Sequence, residues 1–340
     1  MSQEAELNVS GPLGASTPRA DGVVVPAPGL RGGLAGGRAA KQPKHRSLWG
    51  NAWRQFRRHR LAMVGLAVFI ALILGTFIGS PLYGRAIDEP FEYDASLGFS
   101  RENLLGTDSL GQDMLARVLW GGRISIAVGL TAALVAIVLG TAVGAVAGFF
   151  GGVADTLLMR VTDMFISLPQ LPLLLLISFL FRESIVNFFD ERFNSPLMGY
   201  FTLIVVVISF LNWMPTARLV RASFLATKEK EFIEAARAIG ANRSSLMLKH
   251  ILPNVLSPII VAATLGIGAA IITESTLSFL GLGFPSDVPT WGRMLNDAQQ
   301  QLQLAPHEPL VPGFFIFITV LAINYIGDGL RDALDPRKTQ

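Results

Sequence analysis

The sequence predicts an all-α membrane protein that crosses the bilayer six times. Hydrophobic residues make up 51% of the 340 residues and charged residues only 16%, whereas soluble globular proteins carry about 25% charged residues. Six mostly apolar segments are candidates for membrane-spanning helices, which need about 20 residues, and only the fourth of them is shorter than that. They are 61–80, 124–149, 157–181, 199–213, 254–280 and 311–330.

Two further features of the composition narrow the function classes. The chain contains no cysteine, which excludes disulfides, thiolate metal sites and cysteine nucleophiles. Its formal net charge is only +3, too small to indicate a nucleic-acid partner. The partner that the apolar composition predicts is instead the lipid bilayer.

The residues before the first apolar segment divide into two parts. Residues 1–45 are rich in Gly, Ala, Pro and Ser and lack apolar periodicity, so we expect a disordered tail there. Residues 46–60 are basic, and a helix would set Arg54, Arg57 and Arg58 opposite an apolar face. That face comprises Leu48, Trp49, Ala52, Trp53 and Phe56. An interfacial helix and an ordinary basic flank of a membrane span explain this segment equally well.

The distribution of Lys and Arg predicts the orientation. The segments 38–60, 214–252 and 331–340 carry 18 of these residues together, and the segments 81–123, 182–198 and 284–310 carry 7. The first set is therefore expected in the cytoplasm, with both termini. The alternation is consistent over all six spans, and 61–123 then comprises the first transmembrane helix and an outer loop.

The second and third spans have features of their own. Gly140, Gly144 and Gly148 repeat at intervals of four residues, a spacing that lets helices approach closely in a membrane. The spacing favours packing within this chain, with packing against a second membrane subunit as the alternative. In the third span, two prolines predict a kink, and Arg160 and Asp163 are spaced to pair on one helical face.

The segment 228–253 is the most informative loop. Lys228 to Ile239 suits a helix with a narrow apolar stripe, formed by Phe232, Ala236 and Ile239. Gly240 is placed for a left-handed cap, and Asn242 could then begin a second helix that ends at Pro253. The result would be a short helix that projects between the fourth and fifth spans.

The order Glu234-Ala235-Ala236, Gly240 and Ile251-Leu252-Pro253 resembles the "EAA" loop of ABC importer permeases. In that family the loop is a coupling helix that docks in a cleft of a cytoplasmic ATPase subunit. The resemblance implies that Glu234, Ala235, Ala236 and Gly240 contact the ATPase. It also implies the fold of a type I importer permease with a core permease domain at 124–337.

Other motifs narrow the resemblance to the C-type subunit of dipeptide, oligopeptide and nickel permeases. They are Leu105-Gly106-Thr107-Asp108 with Gly111, Asp113 and Arg117, then Leu277–Gly283 with Trp291-Gly292, and Asn324 with Gly327–Asp332 and Leu334–Arg337. Gln112, Ala116 and His307 depart from the family pattern. The first two put a salt bridge at the mouth of the second span in doubt, and His307 stands where an aromatic residue is common.

Glu274 and Asn324 are the candidate residues of the translocation path. Glu274 lies about 20 residues after the start of its span, near the outer boundary, where an ionisable group is a functional candidate. We hypothesise that it meets the amino terminus of a peptide; an interfacial carboxylate that faces headgroups and water is the alternative. Asp328 and Arg331, near Asn324, are spaced to pair.

The sequence contains no GxxxxGK[ST], His-Glu-x-x-His or G-x-S-x-G motif, so no catalytic role is predicted. The resemblance implies an importer of di- or oligopeptides in a bacterial or archaeal cell membrane. Its partners would be a second permease, an extracytoplasmic solute-binding protein and two ATPase subunits that bind the ATP and Mg²⁺. The alternatives are nickel or another small solute as cargo, or a secondary transporter or channel that needs no ATPase.

Overall fold

Helices dominate the part of the chain that the structure, a computed structural model, describes, which is residues 48–87 and 89–335. The predicted tail at 1–45 and the final Pro336-Arg337 lie outside these residues. The helices are α1 Leu48–Arg58, α2 Arg60–Leu74, α3 Ser80–Tyr83, α4 Met114–Phe150, α5 Gly152–Ser167, α6 Gln170–Phe193, α7 Pro196–Asn212, α8 Met214–Lys228, α9 Glu231–Ala238, α10 Arg243–Ser245, α11 Leu252–Phe279, α12 Trp291–Asp297 and α13 His307–Leu334. Single π-helical turns join α2 to α3 and α10 to α11.

Five helical segments are long and apolar enough to cross a membrane. They are Arg60–Tyr83, Met114–Phe150, Gln170–Phe193, Arg243–Phe279 and His307–Leu334. The helices α7 and α8 pass the same test together, with a bend of 44° between them. With this pair taken as one bent span, the described residues contain the six spans that the sequence predicts.

The predicted bounds of the third span, 157–181, are wrong. The chain breaks between α5 and α6, where Leu168 is extended with φ −77° and ψ 141°. Leu168 precedes Pro169, and a residue before proline is disfavoured in the helical conformation. The span is therefore Gln170–Phe193, and α5 is a separate helix. The predicted pairing of Arg160 with Asp163 is also wrong, because Asp163 pairs with Arg218 of α8 at 2.5 Å.

The long helix α4 lies at the centre of the bundle and packs along α8. A Cβ atom on Gly144 would lie 2.4 Å from the carbonyl oxygen of Ala217, and one on Gly148 would lie 2.6 Å from the Cβ of Phe224. A Cβ atom on Gly140 would likewise lie too close to atoms at the start of α8. The repeated glycines therefore pack within this chain, as the first of the two interpretations predicts.

The two ends of the bundle differ in their elements. The α12 end, as we call it, comprises the loop 84–113, the first turns of α4 and α13, the last turns of α11 with the loop that follows it, and α12. The α9 end comprises α1, α9, the π-helical turn before α11, and the last turns of α8 and α13. Each candidate site lies at one of these ends or between them.

Candidate coupling surface and translocation path

The C-terminus of α9 is closed by a left-handed glycine. Gly240 has φ +89°, and its N–H donates to the carbonyl of Arg237 at 3.0 Å. The N–H of Ala241 donates to the carbonyl of Ala236, also at 3.0 Å. These two bonds form a Schellman motif, so the cap predicted at Gly240 is confirmed.

The segment after the cap differs from the prediction. Asn242 caps α10 as expected, since its Oδ1 accepts a hydrogen bond from the N–H of Ser245 at 2.7 Å. The helix does not end at Pro253, however, but continues through the π-helical turn Leu246–Ile251 into α11. The wider turn accommodates a proline that cannot donate to the carbonyl four residues earlier.

Two residues attach α9 to the bundle. The side chains of Ile233 and Ala236 are buried, the former completely, and Ile233 packs in a cluster with Phe224 of α8 and Val255 of α11. The predicted stripe is therefore wrong in part, because Phe232 is 42% exposed and Ile239 is 88% exposed. The predicted helix from Lys228 to Ile239 is also split, since α8 ends at Lys228 and α9 begins at Glu231.

The outward surface of α9 and its cap is the candidate coupling surface, formed by Phe232, Glu234, Ala235, Ile239 and Gly240. All five are exposed. Of the four residues expected at an ATPase contact, Ala236 faces the bundle instead. A short helix with apolar side chains that point away from its own fold can lie in a groove of another protein.

Ion pairs attach α5 to α8 near this surface. Arg221 donates to both carboxylate oxygens of Asp155, at 2.5 and 2.6 Å. The hydrogen bond from Arg221 holds the pKa of the Asp155 carboxyl below its ordinary value. Sequence reasoning missed this pair, because the two residues are 66 positions apart and no local spacing connects them.

At the α12 end, Glu274 is enclosed by protein. Its side chain is completely buried, and its Oε1 accepts a hydrogen bond from the hydroxyl of Ser278 at 2.8 Å. The hydroxyl of Ser275 donates to Oε2 at 3.4 Å, and the hydroxyls of Ser125 of α4 and Thr290 before α12 lie beside the carboxylate. The alternative of a carboxylate that faces headgroups and water is therefore wrong. The carboxylate joins three elements.

Asn324 lies on an exposed face of α13, beside Gly268 of α11. Asp328 and Arg331 follow on the same face and are also exposed. A cavity of about 530 Å³ opens at the end of this face, where Arg331 and residues of α8 and α11 line it. No ion pair within residues 48–87 and 89–335 joins Asp328 to Arg331, so their predicted pairing is not found there.

The departures from the family pattern also lie at the α12 end. Gln112 accepts a hydrogen bond from Arg117, and Arg117 pairs with Asp108 at 3.4 Å. A salt bridge therefore forms at the mouth of the second span despite the glutamine. The ring of His307 lies edge-on to Phe99, with 5.9 Å between the ring centres. His307 therefore makes a ring contact at the position where an aromatic residue is common.

A second salt bridge at this mouth was not predicted. Arg85 pairs with the buried Asp113 at 2.7 Å, and Asp113 also caps α4 by accepting from the N–H of Ala116. Arg85 lies 28 positions earlier, in a loop with no periodicity to relate the two residues.

Comparison with known proteins identifies the family. Residues 140–340 match the model described as binding-protein-dependent transport system inner membrane component. Residues 47–104 match the N-terminal TM domain of oligopeptide transport permease C. The first match covers more than half of the chain.

Curated relatives agree with these matches. A dipeptide transport system permease protein, DppC of Alkalihalophilus pseudofirmus, is 38% identical over 291 residues, which are 86% of this chain and 90% of the relative. A glutathione transport system permease protein, GsiD of Pectobacterium atrosepticum, is 38% identical over 293 residues, 86% of this chain and 92% of the relative. The chain therefore belongs to the family of inner-membrane permease components of binding-protein-dependent ABC transporters, and is a multi-pass membrane transport subunit rather than an enzyme.

Proposed function

We propose that this chain is the C-type subunit of a pair of permeases that imports di- or oligopeptides. The similarity to dipeptide and glutathione permeases supports a peptide cargo. A similar permease would complete the path, two ATPase subunits would bind ATP and Mg²⁺ in the cytoplasm, and a solute-binding protein would deliver the peptide outside. The distribution of Lys and Arg supports a cytoplasmic α9 end with both termini.

The exposed apolar side chains of α9 carry this proposal. Phe232 and Ile239 point away from the bundle. The helix is attached to the bundle through its two buried side chains, Ile233 and Ala236. A groove in one of the two ATPases would accept this helix, and ATP-driven closure of the ATPases would move it. Ile233 would transmit the movement, because it packs against α8 and α11 together.

The bistable element would be the arrangement of α8 and α11 relative to α4. The α8 helix is held to α5 by two ion pairs, so these two helices would move as a unit. The bend between α7 and α8 offers a place where that movement could be absorbed.

The path itself would run along the exposed face of α13. The helix α13 is mostly apolar, but one of its exposed faces carries the polar side chains of Asn324, Asp328 and Arg331. Polar side chains within a membrane span avoid lipid. They would therefore face the paired permease or the cargo. Glu274 would meet a peptide's amino terminus only when α12 separates from α4, that is, in an outward-open state.

A matched pair of substitutions tests the coupling surface. Ile239 and Leu304 are both exposed, at 88% and 85%, but lie at opposite ends of the bundle. We expect Ile239→Asp to remove the ATPase subunits from the detergent-purified complex and to lower ATP-dependent peptide uptake at least tenfold. Leu304→Asp should keep the ATPases in the purified complex.

Three results would count against the proposal. Recovery of ATPases with Ile239→Asp and full uptake would show that α9 is not the contact. Peptide uptake by the chain without any ATPase would favour a secondary transporter. Uptake of nickel but of no peptide by the intact complex would move the chain to the alternative cargo class while keeping the coupling assignment.

A further inference from the structure

The basic face of α1 is a separate surface that the transport cycle above does not use. Arg54, Arg57 and Arg58 lie at relative positions 0, 3 and 4 of this helix, so they share one face, and all three are exposed. None of the ion pairs within residues 48–87 and 89–335 includes any of them. The segment 46–60 itself contains no Asp or Glu.

The opposite face of α1 is fixed to the protein. Phe56 is buried and packs with Ala62 of α2 and Ala333 of α13. A Cβ atom on Gly329 would lie 2.2 Å from the Cβ of Ala62 and 3.0 Å from the ring of Phe56, so the three helices approach closely here. The arginine face therefore has a fixed direction, away from the bundle.

The place of α1 along the chain sets the depth of these arginines. The apolar segment of the first span begins at Leu61, and His59 turns the chain between α1 and α2 with φ −81° and ψ 97°. The arginines therefore lie at the polar boundary of the bilayer. Trp53 is exposed beside them and stacks on Phe56 at 5.8 Å, and tryptophan is enriched at this depth.

We propose that the arginine face of α1 binds the headgroups of anionic phospholipids. The guanidinium groups have no carboxylate partner within the described protein, and they stand at the level where lipid phosphates lie. Arginine binds phosphate through two parallel hydrogen bonds, and clusters of basic residues beside a membrane span attract anionic lipids. Because Phe56 joins α1 to α13, the bound lipid would also hold the last turns of α13.

The test uses the full chain in nanodiscs of phosphatidylcholine mixed with phosphatidylglycerol. After transfer to detergent, native mass spectrometry identifies the lipids that remain bound to the protein and gives their relative amounts. We expect phosphatidylglycerol to be enriched over its share in the mixture. Substitution to glutamine at Arg54, Arg57 and Arg58, singly and together, should lower the enrichment about fivefold for each arginine removed.

Two controls separate this site from a general effect of charge. The triple lysine variant keeps the charge and should keep most of the enrichment. A triple glutamine variant at Arg101, Arg192 and Arg243, which are exposed and outside α1, should match the unaltered chain. All variants should melt at the same temperature in phosphatidylcholine alone.

The proposal is overturned if the α1 glutamine variants retain the enrichment, or if the control triple loses as much of it. It is also overturned if an acidic polypeptide, but no anionic lipid, copurifies with the unaltered chain and is lost from the α1 variants. If the triple α1 variant does not fold, the single variants decide, since a graded decline is expected from them.

Discussion

The α12 end and the α9 end of this bundle are built on different principles. At the α12 end, backbones touch: a Cβ on Gly121 would overlap the carbonyl of Pro289, and one on Gly292 would overlap the backbone of Ser275. Trp291 and Phe284 are completely buried. At the α9 end, α9 is attached through Ile233 and Ala236 and is otherwise exposed. One end is therefore close-packed, and the other presents a movable helix.

This difference fits the two tasks of an importer subunit. Helices whose backbones touch, as at the α12 end, can switch only between discrete packings. A helix anchored by a buried isoleucine, like α9, can follow a partner without unfolding the spans. Substitutions should accordingly cost stability at the α12 end and coupling at the α9 end.

The largest effect is expected for Gly292→Ala. The new Cβ would lie 2.4 Å from the carbonyl oxygen of Ser275 and 2.5 Å from its Cα, and backbone atoms cannot yield as a flexible side chain can. We expect the free energy of unfolding to fall by about 3 kcal/mol, read as a lower melting temperature in detergent. Gly266→Ala is the matched control, because its Cβ would meet Ala133 at an ordinary 3.9 Å. Equal melting of the two variants would contradict the close packing of α12.

An intermediate effect is expected for Ile233→Ala. Removing this side chain empties a buried position between α8 and α11, and such a truncation costs about 2 kcal/mol where the neighbouring helix can settle into the space. The cost should be local, so amide exchange across 231–238 should accelerate while the spans stay protected. Peptide uptake by the complete transporter should fall although the ATPases still bind. Phe232→Ala, at an exposed position of the same helix, should leave the exchange rates unchanged; acceleration there as well would mean that α9 has no single anchor.

The sequence anticipates much of the fold because its strongest signals are local. The six apolar segments, the cap at Gly240 and the cap at Asn242 each depend on residues within a few positions of one another, and the structure bears them out. The packing predicted for the glycine repeat within this chain is also confirmed, since all three glycines meet α8.

The errors arise where a local signal competes with tertiary contacts. Asp163 has Arg160 within reach on its own helix, yet it pairs with Arg218 across to α8. The predicted stripe contains Phe232 rather than Ile233; both are apolar and one position apart, and the sequence does not say which side of α9 meets α8. Glu274 looked like a boundary carboxylate by depth alone, whereas its hydroxyl partners come from three elements.

The smallest effect concerns the ion pairs between α5 and α8. The pKa of Asp155 lies below its ordinary value because Arg221 donates to its carboxylate. The pair therefore stabilises the protein above the unfolded-state pKa of about 3.9, and this contribution is lost as the pH falls through the lower, folded-state value. Arg221 is more than a third exposed, so we expect only about 1 kcal/mol.

The measurement is the melting temperature of the unaltered chain and of Asp155→Asn between pH 7 and pH 3. The asparagine variant should melt lower at pH 7, and the difference should close towards pH 3, because protonation removes the same charge from the unaltered chain. Asp163→Asn should give a smaller difference at pH 7, since both members of its pair are about half exposed. A constant difference across the pH range would mean that Asp155 contributes by packing rather than by its charge. The ion pair with Arg221 would then not be what holds α5 to α8.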